Sequence, residues 1–129
     1  MTTPRLDMIG IVTADLEASL AFYRTLGIET PREHEGPHVE ATLPGGLRIA
    51  WDTEESVCSF VPGWQAPSGH PRTALAFLCA TPSEVDSTYT ALTAAGYHGE
   101  TAPWDAPWGQ RYATVHDPDG NPVDLFAWA

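Results

Sequence analysis

The sequence has 129 residues and a mass of 14.0 kDa, enough for one domain and too little for multidomain machinery. With 43% hydrophobic and 18% charged residues, and no apolar run long enough to cross a bilayer, the composition is that of a folded, water-soluble chain. Six arginines and no lysine stand against 17 acidic residues, a net charge of −11. That balance disfavours a nucleic-acid role, since a phosphate backbone would be repelled, and it concentrates cationic small molecules near the surface.

In chain order, residues 6–12 (LDMIGIV) read as a short strand, and Asp15 then caps a helix whose Leu16, Leu20, Tyr23 and Leu26 recur at helical spacing until Gly27 ends it. HVEATLP and LRIAWDT alternate as two strands about the turn Pro44-Gly45-Gly46. VCSFVPGWQAPSGHP, rich in Pro and Gly and lacking either periodicity, reads as a connector. RTALAFLCA resumes as a strand. Thr81-Pro82-Ser83-Glu84 supplies an N-cap, a proline at the first helical position and a capping-box glutamate to a helix carrying Val85, Tyr89 and Leu92 up to Gly96. RYATVHD and PVDLFAW flank the turn Asp117-Pro118-Asp119-Gly120-Asn121. Leu16, Leu20, Tyr23 and Gly27 match Val85, Tyr89, Leu92 and Gly96 at one constant offset, the mark of a duplicated module. The expected organisation is a single α+β domain over 1–129, with modules at about 5–56 and 70–129, a curved mixed sheet forming a cup, and helices on its outer face. No secretory signal is legible at the N-terminus, so a cytoplasmic location is expected, with Cys58 and Cys79 as reduced thiols without a role.

Asp15-Leu16-Glu17-Ala18-Ser19-Leu20-Ala21-Phe22-Tyr23 with Leu26-Gly27, and Asp117-Pro118-Asp119-Gly120-Asn121 followed by Val123-Asp124-Leu125, resemble the vicinal oxygen chelate superfamily. That group takes in glyoxalase I, extradiol dioxygenases, fosfomycin-resistance enzymes and bleomycin-resistance proteins. The resemblance covers nearly the whole chain. It implies two βαβββ modules, and it places the metal ligands of metal-using members at Met8, Ala50, Ala74 and Asp124. A thioether, two methyl groups and one carboxylate do not make the roughly three protein donors that a catalytic divalent ion takes. The expectation is therefore no metal and no cofactor, and metal-dependent lyase or oxygenase chemistry is disfavoured. A displaced set of His38, Glu40 and His116 is the competing arrangement.

Alternation puts His38, Glu40, Arg48, Asp52, Tyr112, Thr114, His116 and Phe126 on the cup side with Asp124, and Ile9, Ile11, Val39, Ile49, Trp51, Leu75, Phe77, Val115 and Leu125 on the helix side. Phe60 and Trp64 in the connector, and Trp104 and Trp108 in TAPWDAPWGQ, are placed at the mouth, where they either clamp a planar ligand or pin Pro-rich loops. His34, His70 and His98 read as solvated loop residues. No nucleophile elbow and no phosphate-cradling glycine loop occurs. The candidate ligand-binding residues are thus His38, Glu40, Arg48, Phe60, Trp64, Trp104, Trp108, Tyr112, Thr114 and Asp124, with no catalytic residue assigned. The function that follows is sequestration of a planar or polycyclic natural product or antibiotic by a homodimer, without nucleic-acid or membrane partners. A metal-independent isomerase, cyclase or hydrolase acting on a natural-product intermediate is the alternative.

Overall fold

A computed structural model describes residues 3–129, which divide into two compact units, one running up to Ala66 and the other from Pro67 to Ala129. The first unit runs β1 (Met8–Thr13), α1 (Leu16–Thr25), β2 (His38–Thr42), β3 (Arg48–Thr53) and α2 (Glu54–Phe60). The second runs β4 (Leu75–Leu78), α3 (Pro82–Ala94), β5 (Gly99–Ala106), β6 (Gln110–His116) and β7 (Pro122–Trp128), the βαβββ order in full. The architecture is α+β with two mixed sheets, ordered β1-β3-β2 and β4-β7-β6-β5. Each contains one parallel pair, β1 with β3 and β4 with β7, and each parallel crossover contains the unit's long helix.

The two long helices begin and end as their sequences dictate. Asp15 accepts from Ala18 N at 3.1 Å, and Thr81 Oγ1 accepts from Glu84 N at 3.2 Å. The Glu84 carboxylate reaches back to Ala80 N at 2.8 Å, one residue before the N-cap, so a second open N–H is satisfied. At the far ends the same motif closes both helices. Ile28 N donates to Tyr23 O and Gly27 N to Arg24 O, while Tyr97 N donates to Leu92 O and Gly96 N to Thr93 O. Gly27 at φ 88° and Gly96 at φ 99° occupy the left-handed position that this double closure needs. The duplication read from spacing is therefore a duplication of caps, with α3 at 13 residues against 10 for α1, one turn longer.

Burial confirms the phase of the alternation. In the first unit Ile11, Val39, Ile49 and Trp51 are buried with Leu20, Phe22 and Tyr23 of α1, and the Tyr23 and Trp51 rings lie 5.8 Å apart. In the second, Val85 and Leu92 of α3 are buried with Val115, Val123 and Leu125. The opposite face of each sheet carries the polar and aromatic side chains.

Four expectations need correction. The connector begins with a helix, since α2 covers Glu54–Phe60, capped by Thr53 Oγ1 on Ser56 N at 3.1 Å with Glu54 and Glu55 in its first turn. Seven residues make about two turns, too few for a periodic stripe. The segment TAPWDAPWGQ is not a loop over most of its length, because Gly99–Ala106 forms β5. Its Pro103 hides the strand in the sequence, yet β5 ends the sheet and its register shifts between Thr101 and Trp104, an edge position where a missing N–H costs little. The strand expected over RTALAFLCA is confined to Leu75–Leu78, so Arg72 and Ala74 precede it. His34 is not a solvated loop residue: its side chain is largely buried and its Nε2 lies 2.8 Å from Glu17 Oε1.

Candidate functional site

On the open face of the second sheet, pairing across all four strands aligns one row of side chains. Trp104 of β5 lies opposite Tyr112 of β6, Tyr112 opposite Phe126 of β7, and Phe126 opposite Leu78 of β4. Directly opposed residues share a face, so this is a continuous apolar row. The Tyr112 and Phe126 rings are stacked, 6.2 Å apart and 25° from parallel. Trp108 sits in the turn between β5 and β6, where Gly109 at φ 90° reverses the chain. Its ring meets those of Trp104 at 5.5 Å and Tyr112 at 5.6 Å, both edge-on, and its Nε1 donates to Gln110 Oε1 at 2.8 Å. Leu78, Trp108 and Trp128 are 66%, 54% and 65% exposed. Exposed large apolar side chains gathered on one sheet face make this face the candidate binding surface.

The next row across the same sheet is polar. Asp124 of β7 lies between Thr114 of β6 and Ala76 of β4. Tyr112 Oη donates to Asp124 Oδ2 at 2.7 Å and Thr114 Oγ1 to Asp124 Oδ1 at 2.8 Å, so each carboxylate oxygen has a hydroxyl donor. Burial, and secondly the Asp124 hydrogen bond, push the Tyr112 phenol up to about 12. The phenol thus stays a fixed donor at neutral pH and holds its ring in the stack. Further along, His116 Nε2 lies 2.8 Å from Glu100 Oε1, and the His98 and His116 rings meet edge-on at 4.8 Å.

The open face of the first sheet is ionic. His38 Nδ1 lies 2.8 Å from Asp52 Oδ1 and its Nε2 2.7 Å from Glu40 Oε2, so the imidazole bridges two carboxylates. Arg48 continues the ladder, donating from Nη1 to Glu40 Oε1 and from Nη2 to Asp7 Oδ2, each at 2.6 Å. The hydrogen bonds to Glu40 and then Asp52 raise the His38 pKa above 6.5, and those from His38 and then Arg48 lower that of Glu40. Gly10 and Ala50, opposed in register, leave the space beside Glu40 without long side chains.

Of the residues expected at the site, His38, Glu40 and Arg48 come together in this ladder, with Asp7 and Asp52 as members that sequence reasoning left out of the site. Trp104, Trp108, Tyr112, Thr114 and Asp124 come together on the second sheet, joined by Phe126 and Leu78. Phe60, exposed, ends α2, and Trp64 follows it with its N–H donated to Val61 O at 3.2 Å. Both belong to the first unit, and the rings that Trp108 meets are those of Trp104 and Tyr112.

The donor chemistry at Met8, Ala50, Ala74 and Asp124 does not fit a divalent metal ion. Asp124 is the only hard ligand, and both its oxygens already accept hydroxyl hydrogens. The displaced set fares no better, because His38 spends both ring nitrogens on Asp52 and Glu40, and His116 pairs with Glu100. Among the described residues no group of three or more His, Cys, Asp or Glu is arranged to hold a metal ion.

The family-level sequence pattern of the Glyoxalase/Bleomycin resistance protein/Dioxygenase superfamily matches residues 5–125. The chain belongs to this superfamily. Among solved structures, it is similar to a glyoxalase/bleomycin resistance protein/dioxygenase from Nocardioides, with 30% identity and a TM-score of 0.72 over 99% of this chain and 85% of that one. A glyoxalase-related enzyme from Fulvimarina pelagi matches at 25% identity and a TM-score of 0.81, covering 97% of this chain and 88% of that one. A glyoxalase/bleomycin resistance protein/dioxygenase family enzyme from Burkholderia phytofirmans PsJN shares the fold at a TM-score of 0.84 and 22% identity, covering 98% of this chain and 100% of that one. No curated protein matches. The superfamily contains enzymes and non-enzymatic binders, so membership fixes the fold and leaves the activity to the side chains. Among the described residues no helix is long and apolar enough to cross a membrane.

Proposed function

We propose that this superfamily member binds a planar or polycyclic small molecule, a natural product or antibiotic, and sequesters it unchanged, using no metal. The supporting observation is the in-register row Leu78, Phe126, Tyr112 and Trp104, flanked by Trp108, on an open sheet face. Each ring that stacks on a planar ligand adds about 0.5–1.5 kcal/mol beyond its buried area. We further propose that the protein works in the cytoplasm, in keeping with its free Cys58 and Cys79, and as a homodimer, since each sheet taken by itself ends in two edge strands.

The test incubates the purified protein with planar polycyclic compounds, follows tryptophan fluorescence, and recovers each compound for mass spectrometry. Saturable quenching with the compound recovered intact is the expected result, and Trp104→Ala and Trp108→Ala should each weaken binding about tenfold. A converted compound would instead favour a metal-independent isomerase, cyclase or hydrolase. Light scattering at micromolar concentration tests the dimer, and a monomer there overturns that part.

A further inference from the structure

The aromatic row accounts for a flat guest but leaves Asp124 unexplained. This carboxylate is half-buried, both its oxygens act as acceptors, and no arginine or histidine pairs with it among the described residues. The two donors are neutral hydroxyls, so its charge is oriented and not neutralised. An ionised carboxylate offers about four lone-pair directions, of which two are taken here. On the β4 side its in-register neighbour is Ala76, whose exposed methyl leaves room beside the carboxylate. On the other side is Thr114, and one row along the same face lie the stacked Tyr112 and Phe126 rings. A carboxylate with free acceptor capacity, next to open space and with aromatic rings one row away, is an environment that recognises a cationic nitrogen.

The geometry points to Asp124 as the seat of a protonated or quaternary nitrogen on the planar guest, so that the ligand is a flat cation, with its rings on Tyr112, Phe126 and Trp104 and its charge on Asp124. This rests on the planar-ligand reading above and adds the ligand's charge and the residue that selects it.

The test compares 9-aminoacridine, a cation at neutral pH, with acridine, a neutral tricycle of nearly the same shape, by titration against tryptophan fluorescence. The wild-type protein should bind the cation at least tenfold more tightly. Because a net charge of −11 attracts any cation, two variants separate the seat from the overall field. Asp124→Asn should abolish most of the preference. Ala76→Lys, on the exposed edge strand, keeps the carboxylate and its hydroxyl donors but sets an ammonium beside it, and should abolish the preference equally, while Ala76→Gln keeps it. Should Asp124→Asn melt early, the Ala76 pair decides. A preference that survives both Asp124→Asn and Ala76→Lys, or equal wild-type affinity for the two acridines, overturns the cation seat and leaves the planar-ligand reading standing. Failure of the folded wild-type protein to bind either acridine overturns both.

Discussion

The Tyr112 hydroxyl lies 2.7 Å from Asp124 Oδ2 and donates to it across the β6–β7 pair, joining the aromatic row of the second sheet to its carboxylate. Burial of the phenol, reinforced by this hydrogen bond, raises its pKa to about 12. The folded state therefore holds the proton more tightly than the unfolded chain, in which a tyrosine titrates near 10. The stabilisation is complete below pH 10 and is lost as the pH rises toward 12. In an ultraviolet absorbance titration of the folded protein, a phenolate that appears near pH 12 should be absent from Tyr112→Phe. If the variant loses a phenolate of ordinary pKa, the hydrogen bond is not made in solution.

His38 behaves as the centre of a second device. Both its ring nitrogens sit within 2.8 Å of a carboxylate oxygen, and a neutral imidazole has one N–H, so the arrangement as built requires the imidazolium. Its folded-state pKa is raised above 6.5, first by Glu40 and then by Asp52, while Arg48 and Asp7 continue the line of charges. The sign follows from the raised value: the stabilisation is present in full below the unfolded pKa and disappears as pH rises through the folded one. At that point one of the two carboxylate contacts must open. Proton NMR of the His38 ring should report a pKa above 6.5, with Glu40→Gln lowering it more than Asp52→Asn does. An unshifted His38 in the wild-type protein would count against the ladder.

The parts of this fold that were legible in the sequence are those fixed within one or two turns of chain. Asp15 and Thr81 announce helix starts through their own side chains, and Gly27 and Gly96 announce ends through a backbone conformation that other residues adopt at a cost. Strand alternation placed Trp51 and Val115 inside and Tyr112 and Asp124 outside, because one buried face forces a period of two. What escaped was non-local or too short. Pro103 disguises β5 because its tolerance depends on an edge position that only the assembled sheet creates. The Asp7–Arg48–Glu40–His38–Asp52 ladder draws on β2, β3 and the residue just before β1, and its members meet only through a register that composition does not encode. The same holds for Leu78, which enters the aromatic row because Phe126 happens to lie opposite it.

Gly99 illustrates a constraint of close approach. A Cβ at this position would run into the Tyr89 hydroxyl and lie 2.8 Å from Tyr89 Cζ and 3.0 Å from Thr93 Cγ2, both on α3, so a methyl group at the start of β5 requires the Tyr89 ring to shift. Gly99→Ala should lower stability by about 1–3 kcal/mol in denaturant titration, through overpacking. Removing the obstructing ring in the Gly99→Ala/Tyr89→Ala pair should make the two changes non-additive, with Gly99→Ala costing less in the Tyr89→Ala background. Additive losses would mean that the methyl group is accommodated some other way.

Trp51 and Trp108 are a matched pair for separating folding from binding. Trp51 is fully buried on β3 with its ring 5.8 Å from that of Tyr23, and its Nε1 has no hydrogen-bond partner among the described residues. Cutting it to alanine leaves a cavity where a large indole was and should cost about 3–5 kcal/mol, of which the unpartnered N–H returns a little. Trp51→Phe, which removes that N–H while keeping an aromatic ring, should be much milder than Trp51→Ala. Trp108 is 54% exposed on a turn and packs edge-on against Trp104 and Tyr112. Trp108→Ala forfeits little buried area and should change stability by less than about 1 kcal/mol, while weakening a planar ligand roughly tenfold. Melting temperature and ligand affinity measured on both variants decide the matter. A Trp108→Ala protein that melts as early as Trp51→Ala and binds normally would make Trp108 a pin for the β5–β6 turn, and the aromatic row would lose its flank.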